Sequence, residues 1–219
     1  MSATYGRLNL ISSFGFSHFW RMACVRELAA DHPVSCADLM CGGAEAALLL
    51  RDFLPESSTI VACDFCPEMC RLAEASTARK IAGIPVELRD VFSIPSEARF
   101  DRIACSFGLK TLSDEQLPTF AGRINSWLRP GGIAAFVEIG VPQAILLRLP
   151  FLLYLRHVIP LLGRIAQRNA ECYRWLAVYT EGFAARDRFS MQLKDAGLAC
   201  EQKSLFFGCA RLYVARKLK

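Results

Sequence analysis

The sequence predicts an α/β fold built on a doubly wound, mostly parallel sheet, and three observations predict it. Short apolar runs alternate with longer amphipathic stretches five times between Val34 and Glu138, the pattern of right-handed strand–helix–strand crossovers. Three of the runs finish on or beside an acid, at Asp38, Asp64 and Asp90. A glycine turn, Cys41-Gly42-Gly43, joins the first run to an alanine- and leucine-rich helix. Sheets of this kind bind ligands just past the carboxyl ends of their strands, where such a turn sits.

A chain of 219 residues is long enough for one such domain and short for two. We expect a single domain over 1–219, with 5–31 as an amino-terminal cap. Its helix is expected from His18 to Ala30 and stops at His32-Pro33, because the residue before a proline is pushed out of the helical region. Val34 to Leu39 reads as the first strand, Ala44 to Phe53 as the first crossover helix, and Thr59 to Cys63 as the second strand. Pro67, favourable in a first helical turn, opens a helix to Ala82 that Gly83 ends. Val86 to Leu88 and Arg99 to Cys105 are strands three and four, and Asp114 to Leu128 is a helix. Arg129-Pro130-Gly131-Gly132 reads as a turn before strand five, Ile133 to Glu138.

After Glu138 the pattern changes. The stretch from Val141 to Ala166 is strongly apolar but is broken by Arg148, Arg156 and Arg164 and by Pro142, Pro150 and Pro160. No uncharged run reaches the ~18 residues of a membrane span. An inserted helical, substrate-covering or interfacial segment over 141–182 is expected instead. Helices at 170–181 and 186–196 follow, Gly197 caps the second, and Cys200 to Phe207 with Cys209 to Arg216 make a closing antiparallel hairpin.

Composition narrows the function. Apolar residues make up 53%, against about 45–50% in ordinary soluble domains, which implies surface covered by lipid or by an oily substrate. The net charge of +5 comes from scattered basic residues, so no nucleic-acid footprint is present, while an anionic membrane surface still attracts. Ten cysteines, and a start without a basic-then-apolar leader, predict reduced thiols in a cytoplasmic protein that contacts a membrane through its apolar stretch. Cys63-x-x-Cys66-x-x-x-Cys70 has metal-like spacing but no second ligand pair. It reads as small apolar filler, and no metal is expected.

The glycine turn lacks the third glycine that a pyrophosphate needs. A nucleoside without phosphate fits better, and S-adenosylmethionine is the one the acids match. Asp38 would stand near its amino group, and Gly42-Gly43 would take its amino-acid end. Asp64 would meet the ribose hydroxyls, Asp90 the adenine amino group, and Val91 the ring face. One acid at a strand end is more often a helix cap; three in succession are harder to explain that way.

Here the residues resemble a known family, the ubiquinone/menaquinone biosynthesis C-methyltransferases among the class I adenosylmethionine-dependent methyltransferases. Tyr5, Asn9, Ser13-Phe14-Gly15 and Trp20 look like its amino-terminal box. Asp38-Leu39 with Gly42, Asp64 with Pro67-Glu68-Met69, and Asp90 with Ile94-Pro95 match its first three motifs. Ser106-Phe107-Gly108-Leu109 and Leu128-Arg129-Pro130-Gly131-Gly132 with Glu138 match the next two. His157-Val158-Ile159-Pro160, Gly163 and Tyr173-Arg174-Trp175-Leu176 form the narrowest match. The resemblance implies a Rossmann-like class I methyltransferase fold with the hairpin and helical cap above. It also implies Gly43, Asp64, Asp90, Val91 and Ser106 as cofactor contacts and a polyprenylated hydroquinone as acceptor. Three positions depart from the family: Ala44 replaces a glycine, Lys110-Thr111 replaces Arg-Asn, and Gly6 replaces an aspartate.

Ring C-methylation needs a phenolate, whose ortho carbon is electron-rich. Lys110, in the place of the family's arginine, is the first candidate to stabilise it, and His157 a candidate base. Tyr173 would orient a ring hydroxyl, with a core role equally open. Glu138 is expected near the cofactor. Tyr5, Phe14, Thr111 and Arg174 are expected to contact the acceptor, and a homodimer or a biosynthetic complex is open. Three rival readings remain at this point: a methyltransferase tailoring a soluble secondary metabolite at carbon or oxygen, an adenosylmethionine-binding relative that alters a quinone ring without transferring a methyl, and a catalytically silent lipid-binding scaffold.

Overall fold

Seven strands form one sheet: β1 (Ser35–Leu39), β2 (Thr59–Asp64), β3 (Val86–Leu88), β4 (Phe100–Ser106), β5 (Leu128–Ile139), β6 (Ala199–Leu205) and β7 (Ala210–Arg216). The structure, a computed structural model, describes residues 15–80, 83–162 and 171–218, with backbone alone for Lys80 and for 171–174. Strand order is β3-β2-β1-β4-β5-β7-β6. Strands β1 to β5 are mutually parallel, and β7 runs antiparallel to both β5 and β6. The chain moves outward from β1 to β3 and then returns to place β4 on the other side of β1. That reversal makes the carboxyl ends of β1 and β4 the crevice of the sheet.

Both faces are covered. In β5, Ala135 and Val137 pack into one apolar cluster with Leu28, Leu50 and Leu212, while Ala134 and Phe136 pack into the other with Phe120, Phe189 and Tyr213. This is the period-two alternation of a strand, with apolar residues on both sides because helices flank both sides. The first face carries α1 (Phe16–Arg26) and α2 (Glu45–Leu50); the second carries α4 (Gln116–Trp127) and α7 (Phe189–Asp195). Helix α3 (Pro67–Lys80) connects β2 to β3, and α6 (Glu171–Arg186) precedes α7.

Two expectations on secondary structure are corrected. The turn read at 129–132 is a bulge inside one long strand: Phe100 aligns with Leu128, and Arg102 aligns with Ile133. Gly131 takes φ 78°, and both Gly131 and Gly132 exchange backbone hydrogen bonds with Lys217 at 3.0 Å. The segment predicted to be broken after Glu138 contains one continuous helix from Ile145 to Leu162: α5 (Ile145–Leu153), a π-helical turn (Tyr154–Val158), and a regular end. Arg156 does not break it, because its guanidinium makes a two-pronged ion pair with Glu181 of α6. This helix is long and apolar enough, by length and composition, to cross a membrane. Its outer side is bare, with Leu146 86% exposed and Leu149 57%.

Candidate active site

A cavity of about 500 Å³ opens at the carboxyl ends of β1 and β4. Its floor is the glycine turn after β1, in which Met40, Gly42 and Ala44 all adopt left-handed φ, at 52°, 55° and 60°. The second strand holds this turn: the Cys41 N–H donates to the Cys63 carbonyl and the Gly42 N–H donates to Asp64 Oδ2, each at 2.9 Å. The other Asp64 oxygen accepts from the Cys66 N–H at 2.9 Å. Asp38 Oδ2 accepts from the Ala47 N–H, in the first turn of α2, at 2.9 Å.

Burial pushes the Asp38 carboxyl up to about 8; the Ala47 N–H and the nearby Arg21 act against that rise. Its second oxygen, Oδ1, is buried without a hydrogen-bond partner among the described residues. The fit of a protonated carboxyl to this place is physical: a neutral acid loses far less on leaving water than a carboxylate does.

Ala44 sits where only glycine is unstrained, and left-handed φ costs an L-residue roughly 1–2 kcal/mol. Glycine loses more chain entropy on folding, by about 0.5–1 kcal/mol. Ala44→Gly should therefore raise stability by up to about 1 kcal/mol, read from urea unfolding. A loss of stability would mean that the turn differs from this conformation.

The fourth strand supplies the opposite side of the floor. The Ser106 hydroxyl is buried with no hydrogen-bond partner among the described residues and Ser106 lines the cavity. Phe107 follows at φ 64°. A Cβ at Gly108 would stand 2.9 Å from the end of the Met40 side chain and 3.0 Å from Cys105 Sγ, so the two loops meet closely and a side chain there would push Met40 aside. Behind them lies a buried ion pair. Lys110 Nζ donates to Glu138 Oε1 at 3.0 Å and also to the Phe107 carbonyl, with the two side chains 8% and 0% exposed. Glu138 further accepts the N–H groups of Lys110 and Ile139, at 3.0 and 2.8 Å.

The walls are apolar. Helix α1 contributes Phe16 and Trp20, the long helix contributes Phe151, Tyr154, Leu155 and Ile159, α6 contributes Leu176 and Tyr179, and the hairpin contributes Phe206. The π-helical turn (Tyr154–Val158) belongs to this wall, and such turns recur at functional sites.

Of the residues expected at the site, Gly42, Gly43, Ser106, Lys110 and Thr111 line the cavity. Asp38, Asp64, Asp90 and Val91 lie outside its lining. Asp38 caps α2, and Asp64 braces the turn from the far side. Asp90 is exposed and caps the 3-10 turn Val91–Ser93 by accepting from the Phe92 N–H at 2.9 Å. Asp64 and Asp90 nevertheless share the sheet's carboxyl edge, since Asp64 aligns with Leu88 of β3. His157 is exposed on the outer side of the π-helical turn, away from the cavity. Tyr173 and Arg174 lie on the backbone of α6, their side chains outside the described residues, as are Tyr5 and Phe14 altogether.

Two charged residues lining the cavity were missed, Arg21 and Glu45. The signal was present. Glu45 directly follows the glycine turn, and Arg21 stands on the same helical face as Ser17 and Trp20 once α1 starts at Phe16 rather than at His18. Among the described residues no group of three His, Cys, Asp or Glu side chains is placed to hold a metal.

The model of the ubiE/COQ5 methyltransferase family matches residues 1–217. The demethylmenaquinone methyltransferase of Deinococcus radiodurans is 30% identical over 216 residues, spanning 97% of this chain and 88% of that protein. That of Thermus thermophilus is 28% identical over 215 residues, spanning 96% and 94%. Among solved structures, the N-methyltransferase NodS from Bradyrhizobium japonicum superposes with a TM-score of 0.62 at 17% identity, over 93% of this chain and 97% of that one. A SAM-dependent methyltransferase from Aquifex aeolicus gives 0.58 at 15%, over 84% and 82%. At such identities the structural matches establish the fold alone.

Proposed function

The chain belongs to the ubiE/COQ5 methyltransferase family, and from that premise we propose that it methylates a ring carbon of a polyprenylated hydroquinone, with S-adenosylmethionine as donor. The observation that carries the acceptor side is the cavity itself: an aromatic and aliphatic chamber of a size in the range of small-molecule sites, walled by a helix whose outer face is bare leucine.

The residues present fit the donor. Gly42 and Gly43 bring bare backbone to the cavity, which the Ser106 hydroxyl, unpaired among the described residues, also lines, and Asp64 and Asp90 stand further along the same edge with Val91. In this reading Gly42, Gly43 and Ser106 take the methionine end, Asp64 the ribose, and Asp90 with Val91 the adenine. The donor supplies a methyl group on a positively charged sulfur, which becomes a neutral thioether. The acceptor gains a carbon–carbon bond and loses its ring proton.

The chain's own residues hold the ring and exclude water, which keeps the phenolate carbon reactive. Lys110 has three N–H donors, two of them directed at Glu138 and the Phe107 carbonyl; the third is what it can offer a phenolate oxygen. Binding at a lipid surface would bring the acceptor to the leucines of the long helix, with Arg148 among them to meet anionic headgroups.

Methyl-labelled S-adenosylmethionine, given with a prenylated hydroquinone in vesicles, tests the reading. Label on a ring carbon is expected, together with weak transfer to water-soluble phenols. Leu146→Glu with Leu149→Glu should slow transfer to the vesicle-borne quinol and spare a short-tailed quinol in detergent. Faster labelling of soluble phenols than of the quinol would overturn the acceptor assignment.

A further inference from the structure

We infer that Arg21 and Glu45 form a clamp for the α-amino acid zwitterion of the methyl donor, Arg21 taking its carboxylate and Glu45 its ammonium. The inference rests on the donor reading above and goes further by assigning two side chains on different elements to two charged groups. Both line the cavity. Neither makes a hydrogen bond or an ion pair with any described residue, the other included, although one is a guanidinium and the other a carboxylate.

Their placement is specific. A Cβ built on Gly43 would stand 3.2–3.4 Å from the Glu45 carboxylate, so that carboxylate lies directly over the bare backbone of the glycine turn. Arg21 sits half-buried, its guanidinium carbon 5.2 Å from the centre of the Phe107 ring. A ring face holds a guanidinium in plane while leaving its N–H edge to bind something else. Phe107 keeps that position through its left-handed backbone, φ 64°, beside Ser106 and its partnerless hydroxyl.

Half-buried and without a hydrogen bond to a described residue, the guanidinium and the carboxylate keep their donors and acceptors for a ligand that carries the complementary pair. A methionine or homocysteine end carries that pair on a single carbon. The clamp also explains why the third acid on this side, Asp38, is not needed for the ammonium: it is already committed to α2.

Calorimetry with S-adenosylhomocysteine, its decarboxylated analogue and its deaminated analogue tests the clamp without any turnover. Arg21→Gln should weaken S-adenosylhomocysteine by about 10- to 100-fold, the range for one hydrogen bond to a charged group, and leave the decarboxylated analogue within about threefold. Glu45→Gln should do the same for S-adenosylhomocysteine and spare the deaminated analogue, and Arg21→Lys should restore part of the loss. Equal weakening of parent and truncated ligands would reduce both residues to scaffolding and overturn the clamp, as would unchanged binding of the parent. If the natural chain binds no S-adenosylhomocysteine at all, the donor reading fails and the clamp with it; a chain that binds the parent and truncated forms equally loses only the clamp.

Discussion

Glu138→Leu will lower folding stability by about 3–5 kcal/mol, the range for breaking a buried ion pair by removing one partner. The carboxylate it deletes is fully buried, pairs with Lys110, and receives two backbone N–H groups. All three donors are stranded when it goes. For a domain of this size each kcal/mol shifts the midpoint by roughly 2–4 °C, so the melting temperature should drop by about 6–20 °C. Lys110→Met should cost less, because Glu138 keeps its two backbone donors. The double substitution Lys110→Met with Glu138→Leu should recover the part of the loss owed to the stranded ammonium, while the two backbone N–H groups stay unpaired. Additive losses in that cycle would contradict the pairing. Activity adds a second reading: if Lys110 also touches a phenolate, the double variant will be folded and slow, whereas a purely structural lysine leaves it folded and active.

Asp38→Asn will flatten part of the protein's pH dependence. Burial raises the Asp38 carboxyl to about 8 in the folded chain, against about 3.9 when unfolded. Between those values the folded state holds a proton that the unfolded state has released. Stability from this group is therefore complete below pH ~4 and declines as pH rises through about 8. Asparagine keeps an oxygen for the Ala47 N–H and cannot ionise. Relative to the natural chain, the variant should gain roughly 2–3 kcal/mol between pH 5.5 and 7.5, one proton over two pH units. Urea titrations at the two pH values measure it, and a difference that does not change with pH would mean that Asp38 is ionised when folded.

The sheet was legible because parallel strands covered on both faces read as short apolar runs, and the register Ala37–Val61–Ile103 follows from them. Gly197 closes α7 with φ 89° where the sequence placed a cap. The roles of the acids were less legible. Spacing locates Asp38 and Asp64 at strand ends, but whether a carboxylate faces a ligand or a backbone N–H depends on the course of the turn beside it, here set by three left-handed residues of which two are not glycine. Lys110 was read as a site residue from its neighbours in sequence, while its partner Glu138 lies 28 positions away and becomes adjacent only when β4 and β5 pair. Arg21 belongs to no motif, and its cavity-facing position shows only when α1 reaches back to Phe16, which places Ser17 one turn before it on the same face.

In the proposed reading the glycine turn joins two halves of one site, an acid-bearing edge for the nucleoside and an apolar chamber for the acceptor. A crystal structure with S-adenosylhomocysteine tests it most directly. The homocysteine end is expected over Gly42-Gly43 inside the cavity, with the ribose within hydrogen-bond distance of Asp64. A nucleoside seated among Phe151, Tyr154 and Leu176, with Asp64 untouched, would contradict it.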